Sequence, residues 1–356
     1  MLKIKKHVFF VVSLSRKIKI NMKRIVALSL FVAFLSLSCQ RESSYKEKLY
    51  VNYEKLDPQS LDIKSYSKAL FSIDTADFIN GLKSIKNDFL VFLGGDLNNE
   101  EAVRYLKDFA TDTFCIRVNE IVERKYEDTE ALNKEIKSIY QHVNYYYPEI
   151  NLPPTYFYVS GIDYNVPSVM IDEQGIVIAL DYYLANEDGL YDYVGMPRFR
   201  SLRCHPSYIT RDIAESIYLG YIERPTPQKD ILTEMVKTGK KIYFVEAMNP
   251  SIPDSVLLGY SAKQMDWVRQ HEGDIWASVV GNNMLYAKNA EVFRTYFGDA
   301  PFTQAYSNEA PARLGEFLGL QIIRSYMTNN DVSLQDMIKS GDVQQIFQTS
   351  QYKPKS

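Results

Sequence analysis

Histidine and cysteine are scarce in this chain: four histidines and three cysteines are spread over 356 residues. So few cysteines exclude a disulfide framework, and the histidines do not recur at metal-ligand spacing. Charge of one sign is also lacking. The chain has 41 lysines and arginines against 44 aspartates and glutamates, a net charge of −3. No basic stripe results, so nucleic acid binding has no support. No Gly-rich phosphate loop and no Gly-x-Ser-x-Gly elbow occur, which removes two widespread catalytic signatures. The main apolar run, Ile25–Ser38, is about 14 residues long, short of the ~20 that a membrane span needs.

That run has a use of its own. It follows Met22-Lys-Arg, ends in small residues and precedes Cys39. A basic start, an apolar stretch and a small residue before a cysteine make a secretory signal with a lipobox. Cys39 is expected to become the first mature residue and carry the acyl chains. Ser36 stands where a lipobox usually has leucine, with Leu35 and Leu37 on either side. The alternatives are a plain signal peptide or a membrane anchor. Residues 1–21 read as an artefact of start-site choice, with translation beginning at Met22. Gln40–Asn52 is polar and charged and reads as a tether. An exported chain meets an oxidising compartment, so Cys115 and Cys204 are either a disulfide or two separate buried thiols.

Residues 53–356 read as a single large α+β domain, mainly helical around a small antiparallel or mixed sheet. Asp57–Gln141 has helical periodicity, and Thr129–Tyr147 reads as one long amphipathic helix with Leu132, Ile136, Ile139, Tyr140 and Val143 on its apolar face. After Pro153-Pro154 the period changes. Thr155–Ser160 alternates, and Ser168–Ile171 and Ile176–Leu180 read as two strands around the turn Asp172–Gly175. A Gly- and Tyr-rich loop reaches Arg203. Helices then follow, one capped by Ser207, one over Lys229–Met248, one capped by Ser261, and a last helical stretch from Pro311 to Phe347 with a break near Asn329.

Strands, a helix, and a second helix bearing a glutamate form the order of zincin metallopeptidases. There the first helix carries His-Glu-x-x-His, whose histidines sit on one face and bind zinc while the glutamate activates water. Here the helix reads Tyr208-Ile-Thr-Arg-Asp-Ile-Ala-Glu215. Arg211 and Glu215 fall at the histidine positions and Asp212 at the catalytic one. Arginine stays protonated and cannot ligate zinc, so no metal or other cofactor is expected. Arg211 and Glu215 are spaced for an i,i+4 ion pair; the alternative is a solvated helix face. His142, His205 and His271 do not form a ligand set by spacing. Cys204-His205 is a poor thiol pair, because chain neighbours rarely reach catalytic geometry. Asp172, Asp181, Glu246, Asp254 and Glu272 are the carboxylates from which a pair could be drawn.

The C-terminal half carries unusual local motifs: Lys241-Ile-Tyr-Phe-Val-Glu-Ala-Met-Asn-Pro250, Pro253-Asp-Ser-Val-Leu-Leu-Gly259, Gln264-Met-Asp-Trp267, Glu272-Gly-Asp-Ile-Trp276, Glu309-Ala-Pro311-Ala-Arg-Leu-Gly315 and Gly319-Leu-Gln-Ile-Ile-Arg324. With Asp77-Phe-Ile-Asn and Asp181-Tyr-Tyr-Leu, their order resembles the gliding-motility lipoprotein GldB family of Bacteroidota. The resemblance implies an envelope protein working with gliding or the linked type IX secretion machinery through protein partners. It also implies kinship with predicted zinc-dependent peptidases that keep His-Glu-x-x-His, a pattern from which this chain departs at Arg211, Asp212 and Glu215. It supplies no catalytic residues. Two other readings stay open: a hydrolase built around Asp212, Glu215 and Glu272, or a surface glycan or peptide binder using Tyr182–Tyr193. Pro311, Arg313, Gly315 and Gly319 are expected to be structural, with Pro311 in a first helical turn and the two glycines letting helices approach. Trp267 and Trp276 are expected to be core anchors.

Overall fold

The computed structural model describes residues 45–52, 61–224, 229–299, 302–303 and 305–354. Cys39 and the signal segment lie outside the described residues. The chain divides into two compact units, residues 1–50 and 51–356. In the first, residues 45–49 form a helical turn. The second has its own core and its own sheet, the conditions for folding independently.

The second unit is mainly helical with a four-stranded mixed sheet, an α+β architecture. The strands are β1 (Ile63–Ser65), β2 (Thr155–Tyr158), β3 (Val169–Ile171) and β4 (Ile176–Ala179), in the order β1-β2-β4-β3. β1 and β4 run parallel to β2, and β3 is antiparallel to β4. The expected hairpin is present. Its turn is held by Asp172, whose Oδ1 accepts from the backbone of Gln174 at 2.7 Å and Gly175 at 3.0 Å, an aspartate mimicking a turn. All four residues of β4 are buried, as a strand covered on both faces must be. Tyr156 and Val177 pack into a cluster with Tyr66, Leu70, Phe78, Leu82, Phe89 and Leu93 from the N-terminal helices.

β1 corrects the reading of Asp57–Gln141 as wholly helical. A three-residue strand carries no readable period, and Ile63-Lys-Ser is fixed by pairing with residues some 90 positions later. The helices Glu100–Thr111 and Thr113–Lys125 divide at Asp112, which caps the second of them. The long helix α1 (Glu130–Tyr146) appears as expected, with Ile136, Ile139, Tyr140 and Val143 buried.

The next helix, α2, spans Ile209–Ile217. Ser207 does not cap it. His205 caps a preceding 3-10 turn, Pro206–Tyr208, its Nδ1 accepting from the Ser207 amide at 3.2 Å. The proline tightens this entry, and the cap shifts two residues upstream. α2 ends in a π-helical turn, Tyr218–Ile222. α3 (Ile231–Met248) is buried on nearly every side, the sign of a central helix. α4 (Ala262–Gly281) starts at Ser261 with a complete capping box to Gln264, as the sequence implies.

The C-terminal stretch holds three helices: α5 (Leu314–Asn329), α6 (Leu334–Lys339) and α7 (Val343–Ser350). The break near Asn329 is present. A second one falls at Ser340–Asp342, where Asp342 starts a new helix by capping it. Pro311 lies outside the first turn of α5, because Arg313 precedes that helix in the left-handed region, at φ 57°. Of the two glycines, Gly319 meets α3 directly at Gly239 and the Met235 carbonyl, whereas Gly315 makes room for the ring of Phe297.

Candidate functional site

α2 lies against the sheet, its Ser216 hydroxyl donating to the Val169 carbonyl of β3 at 3.2 Å. This places one face of α2 between the end of β4 and the central helix α3. On that face stand Arg211, Asp212 and Glu215, with side chains 16, 20 and 18 % exposed. They form a connected charge cluster, and the solvated-face alternative does not describe them. Arg211 Nη1 lies 2.6 Å from Asp212 Oδ1 and 2.8 Å from Glu215 Oε2. Its Nε donates to the Leu257 carbonyl at 3.3 Å.

Two partners of this cluster were not legible in the sequence. Lys241 of α3 pairs with the second oxygen of Glu215. Tyr183, just past β4, donates from its hydroxyl to Asp212 Oδ2 at 2.8 Å and is also bonded to Ser168. Both come from distant segments, so no local spacing announces them. The cluster is neutral in sum, two cations against two carboxylates.

The electrostatics follow from burial and pairing. Burial opposes the charge of Glu215, but Arg211 and Lys241 outweigh it and hold the carboxyl down to about 2. Burial pushes Asp212 above the ordinary carboxylate range, against the pull of Arg211, with Glu215 adding to the rise. Burial also raises Tyr183 well above the usual phenol range.

These residues do not suit a metal. The positions that would supply two ligands hold a guanidinium and a carboxylate already bonded to each other, and Lys241 occupies the remaining oxygen of Glu215. A dication there would face two fixed cations. Among the described residues no group of three or more histidine, cysteine or acidic side chains is placed to hold a metal ion.

The other sequence candidates are dispersed. His142 is buried on α1, His205 caps its turn, and His271 stacks on Trp267 with centroids 4.3 Å apart. Trp276 packs against Phe347 and Tyr352. Glu272 receives the Tyr352 hydroxyl at 2.8 Å, and burial raises its carboxyl. Asp181 is fully buried and holds a loop, accepting from the backbone of Ser160 and Ile162 at 2.9 and 2.8 Å. Burial pushes it up. Glu246 and Asp254 do come together, bridged by Arg324 of α5. Arg313 clamps the Leu258 carbonyl at 2.8 Å and pairs with Glu316 at 3.0 Å, a structural use. Of the tyrosines in Tyr182–Tyr193, three are buried; Tyr193 is exposed and stacks on Phe114.

Cys115 and Cys204 are both buried and unpaired. Of the two alternatives, the structure carries separate thiols. Burial raises each to about 12, so neither offers a thiolate at neutral pH.

No helix among the described residues is long and apolar enough to cross a membrane. No curated protein and no solved structure matches the chain. One family does match, described as gliding motility protein GldB, over residues 46–354. That range takes in α2, α3 and the whole charge cluster, and the chain belongs to the gliding motility protein GldB family.

Proposed function

We propose that this protein is a lipid-anchored, non-catalytic component of the cell envelope that serves gliding or type IX secretion-type machinery through protein contacts. In this reading its scaffold is zincin-like, and the helix face that would bind zinc is refilled with charge. Family membership supports the envelope role. The observation that carries the non-catalytic part is the Arg211–Asp212–Glu215–Lys241 cluster. Every carboxylate in it is engaged, so none is left to activate water or bind a metal. The buried tyrosines of Tyr182–Tyr193 do not favour the glycan-binding reading, and Glu272 is bonded outside the cluster.

The test is metal content. Residues 40–356, purified and dialysed, are expected to hold no stoichiometric zinc by plasma mass spectrometry. Zinc near one per chain would overturn the refilled-site reading. The anchor has its own check. In a Bacteroidota host, Cys39→Ser is expected to abolish incorporation of an alkynyl palmitate and to shift the chain from the membrane to the soluble fraction. Undiminished labelling would move the lipid elsewhere.

A further inference from the structure

A cavity of about 630 Å³ lies apart from the charge cluster, within the size range of small-molecule sites. Its wall is mostly apolar. Tyr218 and Ile222 come from the π-helical turn, Val236 from α3, Ile338 from α6 and Val343 from the start of α7. Insertions of π-helical turns recur at functional sites.

The charges of the wall divide unevenly. Its acidic groups are engaged: Glu223 faces Lys237 at 3.5 Å, Asp230 caps α3 and Asp342 caps α7. Arg224, Lys229 and Lys339 are exposed and pair with no acidic side chain among the described residues. Deeper in the wall lies Lys240, 8 % exposed. Its Nζ donates to the carbonyls of Ser340 at 2.6 Å and Ile338 at 3.3 Å. An ammonium has three donors; two are engaged, and no side chain or carbonyl among the described residues is bonded to the third. The cavity therefore presents apolar surface, one open buried donor and a surplus of positive charge.

That combination suits a ligand with one anionic end and an apolar body. A fatty acid brings one anionic end and no other polar group to desolvate against the apolar part of the wall. We propose that the cavity binds a free fatty acid, with its carboxylate against Lys240 and its alkyl chain along Tyr218, Ile222, Val236 and Val343. Burial holds Lys240 down to about 8. A carboxylate beside it favours the charged form, so binding near pH 8 takes up a proton.

The experiment is calorimetric titration of residues 40–356, which contain the whole second unit, with palmitate at pH 8. One-site binding is expected, with a heat that changes between buffers of different ionisation enthalpy. Methyl palmitate has the same chain without the charge and is expected to bind at least tenfold more weakly. Lys240→Met is expected to lose tenfold or more and to lose the proton uptake. Because Lys240 is buried, the exposed double variant Lys229→Glu/Lys339→Glu provides an independent arm, with a loss of severalfold expected. Circular dichroism checks that both variants fold. Absence of saturable palmitate binding would overturn the proposal. So would equal binding of acid and ester to all the proteins, which marks plain partitioning, or binding only to phosphatidylglycerol vesicles, which marks a membrane surface.

Discussion

Arg324→Met is expected to destabilise the protein by about 3–5 kcal/mol, the cost of removing one member of a buried ion pair. Arg324 is 6 % exposed and Glu246 3 %. The guanidinium grips Glu246 with two nitrogens, Nε to Oε2 at 3.0 Å and Nη2 to Oε1 at 2.7 Å, and reaches Asp254 at 2.7 Å. Asp254 keeps Arg269 at 3.1 Å after the substitution, so most of the penalty falls on Glu246. Urea unfolding of the variant should show the loss directly, and the thermal midpoint should fall by roughly 10 °C. Arg324→Met/Glu246→Leu should recover much of it, because an apolar pair of similar volume replaces a buried ion pair at little cost. A single variant within 1 kcal/mol of the parent would show that Glu246 sheds its charge or finds water.

Gly319→Val is expected to be as damaging for a different reason. A Cβ at position 319 would lie 2.0 Å from the Met235 carbonyl oxygen and 2.8 Å from its carbon. From the other helix, a Cβ at Gly239 would lie 2.3 Å from the Gly319 oxygen. The obstacles are backbone atoms inside two helices, so no rotamer change relieves them. α3 and α5 would have to separate, and with them the Arg324–Glu246 link. Overpacking ordinarily costs about 1–3 kcal/mol, and a backbone clash belongs at or above the top of that range. Soluble yield and thermal midpoint are the measurements. Gly341→Ala is the control, since nothing lies within 4 Å of an added Cβ there, and its effect should stay within about 0.5 kcal/mol. Equal behaviour of the two variants would mean that the helices give way easily.

What the sequence made legible was local. The periodicity of α1, the capping box at Ser261 and the hairpin around Asp172 each depend on residues a few positions apart. The ion pair of Arg211 with Glu215 is legible for the same reason, one helical turn separating its members. Tyr183, Lys241 and Arg324 were not. Each acts on a partner at least 26 residues away, and only the fold supplies that proximity. The same limit explains β1, whose three residues acquire an extended form from pairing rather than from their own pattern. The helix starts misassigned to Ser207 and Pro311 have another cause. There the chain enters the helix by a less common route, a histidine-capped 3-10 turn in one case and a left-handed arginine in the other.

The interlocked charges on α2 also govern which substitutions this helix face can take. A metal-binding pair of the His-Glu-x-x-His pattern would need histidine at positions 211 and 215, and Lys241 must give up its place on position 215. No single substitution accomplishes this. Arg211→His alone leaves Asp212 with the Tyr183 hydroxyl and Glu215 with Lys241, and Glu215→His alone takes the carboxylate from Lys241 while Arg211 keeps Asp212. Each intermediate carries a partly buried charge in excess, at a cost of several kcal/mol against a total stability of about 5–15 kcal/mol. The cluster thus resists conversion into a metal site one substitution at a time, because each step leaves a charge on this face short of a partner.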